Sequence, residues 1–243
     1  MNAERRAAVA EGRAETATLA EILAVDLPAL VGTVFPDLAA ELVGPGFPGE
    51  AGILARMTAI GERLHARLGP EGAETLRHHP SDLVRGWACF VVGAGAAPLP
   101  DRLAAIRPLA DDRHFGVREW AWLAVRPAIA AAPDAAIARL ASWTGDPSER
   151  VRRFASEATR PRGVWCRHLA SLKTDPAPGL AILAPLRADP ARTVQDSVGN
   201  WLNDAARLRP DWVRAVVAEW RAAGSCPATE RIARRGLRSL APP

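Results

Sequence analysis

The sequence predicts an all-α protein built of stacked helical repeats, on three observations. Apolar residues recur at the helical period of about 3.6 residues. Alternating runs rich in Val, Ile and Thr, the mark of strands, do not occur. From Pro80 onward one short pattern returns five times: Val84-Arg-Gly-Trp, Val117-Arg-Glu-Trp, Val151-Arg-Arg-Phe, Val194-Gln-Asp-Ser and Ile232-Ala-Arg-Arg, at spacings of 33, 34, 43 and 38 residues. Paired helices of this period are the signature of HEAT-like repeats, which stack into a curved solenoid with a concave face. The expected organisation is a single all-α domain over 1–243, with an N-terminal helical cap over 1–79, repeats over 80–243 and a concave basic groove able to hold a rod such as duplex DNA.

Each element has a local reason. Thr18-Leu-Ala-Glu21 is a capping box that opens a short helix through Leu19, Ile22 and Leu23, limited by Pro28. Leu38 to Val43 is an apolar segment ending in the loop GPGFPGEAG, and Ile53, Leu54, Met57, Ile60, Leu64 and Leu68 mark an amphipathic helix over 53–68. His78 and His79 stand before Pro80, where histidines serve as polar turn residues. An acid lies five residues before three of the pattern valines: Asp112, Asp146 and Asp189. Asp146-Pro-Ser-Glu149 reads as an N-cap with Pro at the first helical position. Partner helices are expected over 134–144 and 211–223, the second closed by Gly224. The longest interval, between Val151 and Val194, contains the loop TRPRGVW, and insertions into a regular scaffold are where functional groups are placed.

Composition bounds the function. No apolar run reaches the roughly 18 residues of a membrane helix, and the charged start MNAERRAAVAEGRAE is unlike a secretory signal, so a cytoplasmic protein without membrane contact is expected. Three well-separated cysteines argue against a disulfide framework, and Cys166 with His168 lacks a second pair for a metal. Neither metal nor cofactor is expected, and the chain is read as a monomer. The net charge of +4 is unevenly distributed. Residues 1–110 hold ten Arg and thirteen acids, giving −3, whereas residues 111–243 hold twenty-one Arg or Lys and fourteen acids, giving +7. A basic C-terminal half fits a polyanion.

The candidate site centres on VRRFASEATRPRGVW, residues 151–165. Val151, Phe154, Ala155 and Ala158 share one helical stripe, and Arg153, Glu157 and Arg160 the other. Arg152, Arg153, Arg160 and Arg162 are expected to contact phosphates, for which the guanidinium fork is suited. Glu157 on such a face either neutralises Arg153 or performs chemistry. Trp122 falls at about 140° from Val117, among Arg118, Glu119 and Arg126 on the expected solvent face, and Trp120 at about 300° in the core. Trp122 thus offers a ring to a cation or base, or packs against the adjacent repeat. Asn200 occupies the angle of Glu157 in the next repeat helix, and Asp204 follows one turn later, so Glu157 and Asp204 can share a groove. Asp204 can equally pair with Arg207 or Arg209. Trp165 ends the inserted loop, either presenting its ring or anchoring the next helix.

Residues 146–240, above all VRRFASEATRPRGVW, SVGNWLND and RRGLRSL, resemble the AlkC and AlkD superfamily of DNA alkylation repair proteins, and the AlkC branch in particular. That family is built of HEAT-like repeats and includes glycosylases that remove N3- and N7-alkylated purines. Substrate contact by Trp122 and Asn200 and DNA contact by Arg118, Arg126, Arg152, Arg153, Arg160 and Arg162 are expected from their own positions, and the resemblance implies active-site roles for Glu157, Asp204 and Trp165. It departs from the family at Trp122, where a carboxylate is usual, and at Gln195, where a basic residue is usual. The sequence ends at the last repeat, where some AlkC-type members continue into an immunoglobulin-like domain.

The expected function is therefore a monofunctional alkylpurine DNA glycosylase acting on double-stranded DNA. A cationic purine leaves as a neutral base, so the sugar, developing oxocarbenium character, is what needs a carboxylate. The rivals are a non-catalytic DNA-binding repeat protein and a protein-binding scaffold.

Overall fold

The computed structural model describes residues 3–240, so the outermost limits of the expected domain, 1 and 243, lie outside the described residues. Every regular element among the described residues is helical. The chain divides into two compact units, Met1–Val125 and Arg126–Pro243. The repeat pattern beginning at Pro80 therefore starts inside the first unit.

In the first unit, Thr18 accepts a hydrogen bond from the Glu21 amide at 3.2 Å and opens the helix Leu19–Ala24, while the Glu21 carboxylate receives the Ala17 amide at 2.7 Å. Pro28 lies in the first turn of the next helix, Leu27–Val34, where its missing N–H costs nothing. The amphipathic helix Ile53–Leu68 buries Ile53, Met57, Ile60 and Leu64. It packs on Asp82–Ala94, which is buried along nearly its whole length around Leu83, Val84, Trp87 and Val91. The segment between the helices Ala3–Ala10 and Leu19–Ala24 is pinned by polar contacts: the Thr16 amide and hydroxyl donate to the two Asp82 oxygens at 2.9 and 2.8 Å.

The second unit carries Pro133–Leu140, Glu149–Ala158, Arg192–Ala206, Pro210–Ala222 and Pro227–Leu237 as its longer helices. Pro133–Leu140 ends earlier than the sequence suggested, its last residues tightening into the 3₁₀ turn Ala141–Gly145. Helix Glu149–Ala158 begins later than expected. Its N-cap is Ser148, which accepts from the Arg150 amide, and Asp146 instead receives the Ser148 amide at 2.8 Å.

The arginine after the pattern valine explains the repeat. Arg85 donates through Nη1 to the carbonyls of His79 and Pro80 at 2.9 and 3.1 Å, and through Nε and Nη2 to Asp112 at 2.8 and 3.1 Å. Arg152 does the same with the carbonyls of Asp146 and Pro147 at 2.8 and 3.1 Å and with Asp189 at 2.6 and 3.1 Å. Each such arginine ties its own turn to the acid that begins the following repeat. Both ends of the series are uncharged. His79, which no pattern arginine precedes, receives the Ser81 amide on Nδ1 as the aspartates receive theirs. Gln195, with Pro227 instead of an acid in the next repeat, keeps only the carbonyl contacts, to Asp189 at 2.8 Å and Pro190 at 3.4 Å. A buried cation without its carboxylate would be costly, so the charge disappears together with its partner.

Candidate functional site

Helix Glu149–Ala158 buries the expected stripe of Val151, Phe154, Ala155 and Ala158, but also Ser156 and Glu157 on the side expected to be polar and open. The cause is the helix Arg192–Ala206 lying over that side. Ser197 from that helix donates to Glu157 Oε2 at 2.7 Å and to the Ser156 hydroxyl at 3.1 Å.

Arg160, just beyond the helix, joins the two candidate carboxylates. Its Nη1 donates to Glu157 Oε1 at 2.6 Å and its Nε to Asp204 Oδ2 at 2.9 Å. Arg153 adds a longer contact to Glu157 at 3.8 Å. Burial opposes ionisation of Glu157, but Arg153, Arg160 and the hydrogen bonds from Arg160 and Ser197 outweigh it and hold its carboxyl below the ordinary range. For Arg160, burial is likewise outweighed by Glu157 and Asp204, which push its pKa up. Glu157 and Asp204 are thus brought together, as the spacing suggested, through an intervening guanidinium.

The end of the helix is fixed from below. Arg126, 1% exposed, donates to the carbonyls of Ala158 at 2.6 Å, Arg160 at 2.5 Å and Arg167 at 3.1 Å. The Trp201 indole N–H donates to the Thr159 carbonyl at 3.0 Å. Carbonyls left over at a helix C-terminus carry partial negative charge, which a buried cation satisfies. The inserted loop is closed by the Leu169 amide on the Pro161 carbonyl at 3.0 Å. At Gly163 (φ +42) a Cβ would stand 2.4 Å from Cys166 Sγ, so the turn requires glycine. Beyond it Val164 and Trp165 are 54% and 53% exposed, and Trp165 has φ +58. A left-handed conformation costs a non-glycine residue about 1–2 kcal/mol, a cost met at a tip that displays two apolar side chains to solvent.

Several expectations are corrected. Trp122 is 2% exposed and donates to Glu119 Oε2 at 2.8 Å, so its ring belongs to the core; a helical-wheel angle marks the stripe facing one neighbour and misses a second covered side. In place of phosphate contacts, Arg126 caps carbonyls, Arg152 serves the repeat clasp, and Arg160 bridges carboxylates. Arg118 binds the carbonyls of Asp112 and Arg113 at 2.9 and 2.8 Å, the same turn contact that Arg85 and Arg152 make. Asn200 accepts from Arg235 Nε at 2.9 Å. Arg162 is half-buried, and its Nε has no hydrogen-bond partner among the described residues. Sequence reasoning passed over Ser197 and the capping role of Trp201. A serine inside a helix is a weak sign of a side-chain partner.

Residues 81–236 match the sequence model of the family described as DNA alkylation repair enzyme, well over half of the chain. The chain belongs to this family. An uncharacterised protein of Bacillus subtilis (strain 168), YhaZ, is 39% identical over 136 residues, which is 56% of this chain and 37% of that protein. The alkylpurine DNA glycosylase AlkC of Pseudomonas fluorescens, solved bound to DNA containing an abasic site analogue, superposes with a TM-score of 0.70 at 26% identity, covering 98% of this chain and 63% of that one. The chain therefore spans less than two thirds of either protein's length. AlkD2 of Streptococcus mutans shares the fold, with a TM-score of 0.65 at 20% identity over 88% of this chain and 97% of that one. Among the described residues no helix is long and apolar enough to cross a membrane.

Proposed function

We propose that this family member is a monofunctional DNA glycosylase hydrolysing the N-glycosidic bond of N3- or N7-alkylated purines in duplex DNA, as a cytoplasmic monomer. The observation that carries the reading is the pair Glu157 and Asp204, locked together by Arg160 at the foot of a loop whose tip displays Trp165. The family match and the likeness to a DNA-bound alkylpurine glycosylase support it.

The two carboxylates differ in what remains to them. Both oxygens of Glu157 are engaged, Oε1 by Arg160 and Oε2 by Ser197, whereas Asp204 gives only Oδ2 to Arg160. Asp204 is accordingly the group that faces the sugar, and Glu157 acts through Arg160 by fixing its position. As the C1′–N bond breaks, its electrons neutralise the cationic purine. Asp204 stabilises the developing oxocarbenium and orients a water, which bonds to C1′ and passes its proton to the carboxylate. Trp165 offers a ring face to the cationic base. Arg153 and Arg162, beside the loop, are the remaining phosphate contacts from the original set.

A second reading has an observation in its favour: an arginine between two buried carboxylates is also what a structural ion triad looks like, which would leave a DNA-binding protein without chemistry. Incubating purified protein with methylated duplex DNA and measuring released 3-methyladenine and 7-methylguanine decides between them. Release in the wild type that is lost in Asp204→Asn supports the enzyme. Duplex binding without release leaves the passive binder.

A further inference from the structure

The helix Pro227–Leu237 lies unusually close to Arg192–Ala206, the helix that carries Asp204. A Cβ on Gly199 would stand 2.7 Å from Arg235 Cβ and 3.0 Å from its Cγ and Cδ, so the absent side chain lets the arginine stem lie flat on the helix. Asn203 holds the approach, donating to the Gly236 carbonyl at 3.3 Å and the Ser239 hydroxyl at 2.8 Å. Arg235 then reaches Asn200, one turn before Asp204, at 2.9 Å. Arg238 donates to the Arg235 carbonyl at 2.8 Å and is exposed, as is Arg207, which caps the helix of Asp204. The nearby acids are already occupied. Asp196 pairs with Arg231 at 2.6 Å and Arg235 at 3.6 Å, and Asp204 and Glu157 with Arg160. Neither Arg207 nor Arg238 makes an ion pair among the described residues.

We propose that Arg207, Arg235 and Arg238 form the phosphate seat of the site, holding the DNA backbone against Asp204 in the role first assigned to Arg126, Arg152 and Arg160. The inference rests on the glycosylase reading. Burial together with the charges of Arg235, Arg160 and Arg207 lowers the Arg238 pKa against the pull of Asp204, as expected of a cation crowded by other cations. The seat also has a chemical consequence. Unneutralised guanidinium groups beside Asp204 would oppose a cation forming on the sugar, and a bound phosphate removes that opposition. Asn200 is then a positioning residue, aiming Arg235.

The test is binding of a fluorescent duplex with one tetrahydrofuran abasic-site analogue, followed by anisotropy across a salt series. Arg207→Gln and Arg238→Gln should each lower the slope of log K against log salt by about 0.9, the effect of one lost phosphate contact, with melting temperature unchanged. Arg238→Lys should restore the slope, because only the charge is required. Placing a neutral methylphosphonate at successive linkages near the analogue should find one position where the wild type falls to the level of Arg238→Gln and the variant loses nothing more. Unaltered slopes in both variants, with a salt-sensitive wild type that releases methylpurines, overturn the seat alone. The expected slopes in a protein that releases no base overturn the glycosylase reading and leave the seat. A wild type that does not bind duplex DNA overturns both.

Discussion

Two buried arginines in this chain hold a carboxylate on either side. In the first unit Arg85 pairs with Glu15 and Asp112; in the second Arg160 pairs with Glu157 and Asp204. Their chemistry is the same, and their surroundings differ. Arg85 stands at the start of its helix and spends its remaining donor on the carbonyls of the turn below, so every contact it makes apart from Glu15 belongs to the repeat. Arg160 stands past the end of its helix, beside an inserted loop that puts Val164 and Trp165 into solvent. A buried Arg between two acids therefore does not mark a site by itself. What sets the Arg160 cluster apart is an adjoining irregular segment with two exposed apolar side chains at its tip.

Substitutions at matched positions test how far the two clusters differ. Arg85→Ala leaves Asp112 without its cation, while Glu15 keeps Arg113, and should cost about 3–5 kcal/mol of stability by denaturant unfolding. Trp122→Ala, now a core truncation, should cost about the same, whereas Trp165→Ala should change stability by no more than about 0.5 kcal/mol and reduce excision. Equal losses for the two tryptophans would mean that the loop is part of the core.

Asp204→Asn should slow single-turnover base release on the order of a hundredfold with duplex binding retained, the scale of one preorganised electrostatic contact. Its counterpart Asp112→Asn should leave release near normal and lower the melting temperature. If both aspartates affected only stability, the two arginine clusters would be equivalent and the catalytic assignment would fall.

The smallest effect is in pH. Glu157 has its pKa lowered on folding, so its contribution to stability is present above the ordinary value of 4.5 and is lost as pH falls through the depressed one. The stability gap between wild type and Glu157→Gln should therefore shrink in acid below about pH 4.5. A gap that stayed constant into strong acid would mean that Glu157 is not ionised in the folded protein.

The sequence alone predicts the helical class, the phase of the repeats and the anomaly of residues 151–165, because each follows from local spacing. Apolar period, capping residues and a lengthened interval are legible without knowing what packs on what. It also brought Glu157 and Asp204 to facing helices. What the arginines do depends on how the helices pack. Arg126, Arg152, Arg153 and Arg160 have the same side chain, yet one caps carbonyls, one clasps repeats, one approaches Glu157 and one bridges two acids. A guanidinium carries five donors on a long stem, so its partner is set by whichever carbonyl or carboxylate the neighbouring helices bring within reach. The same holds for Trp122, whose angle on its own helix is fixed by sequence but whose burial is fixed by the structure packed against it.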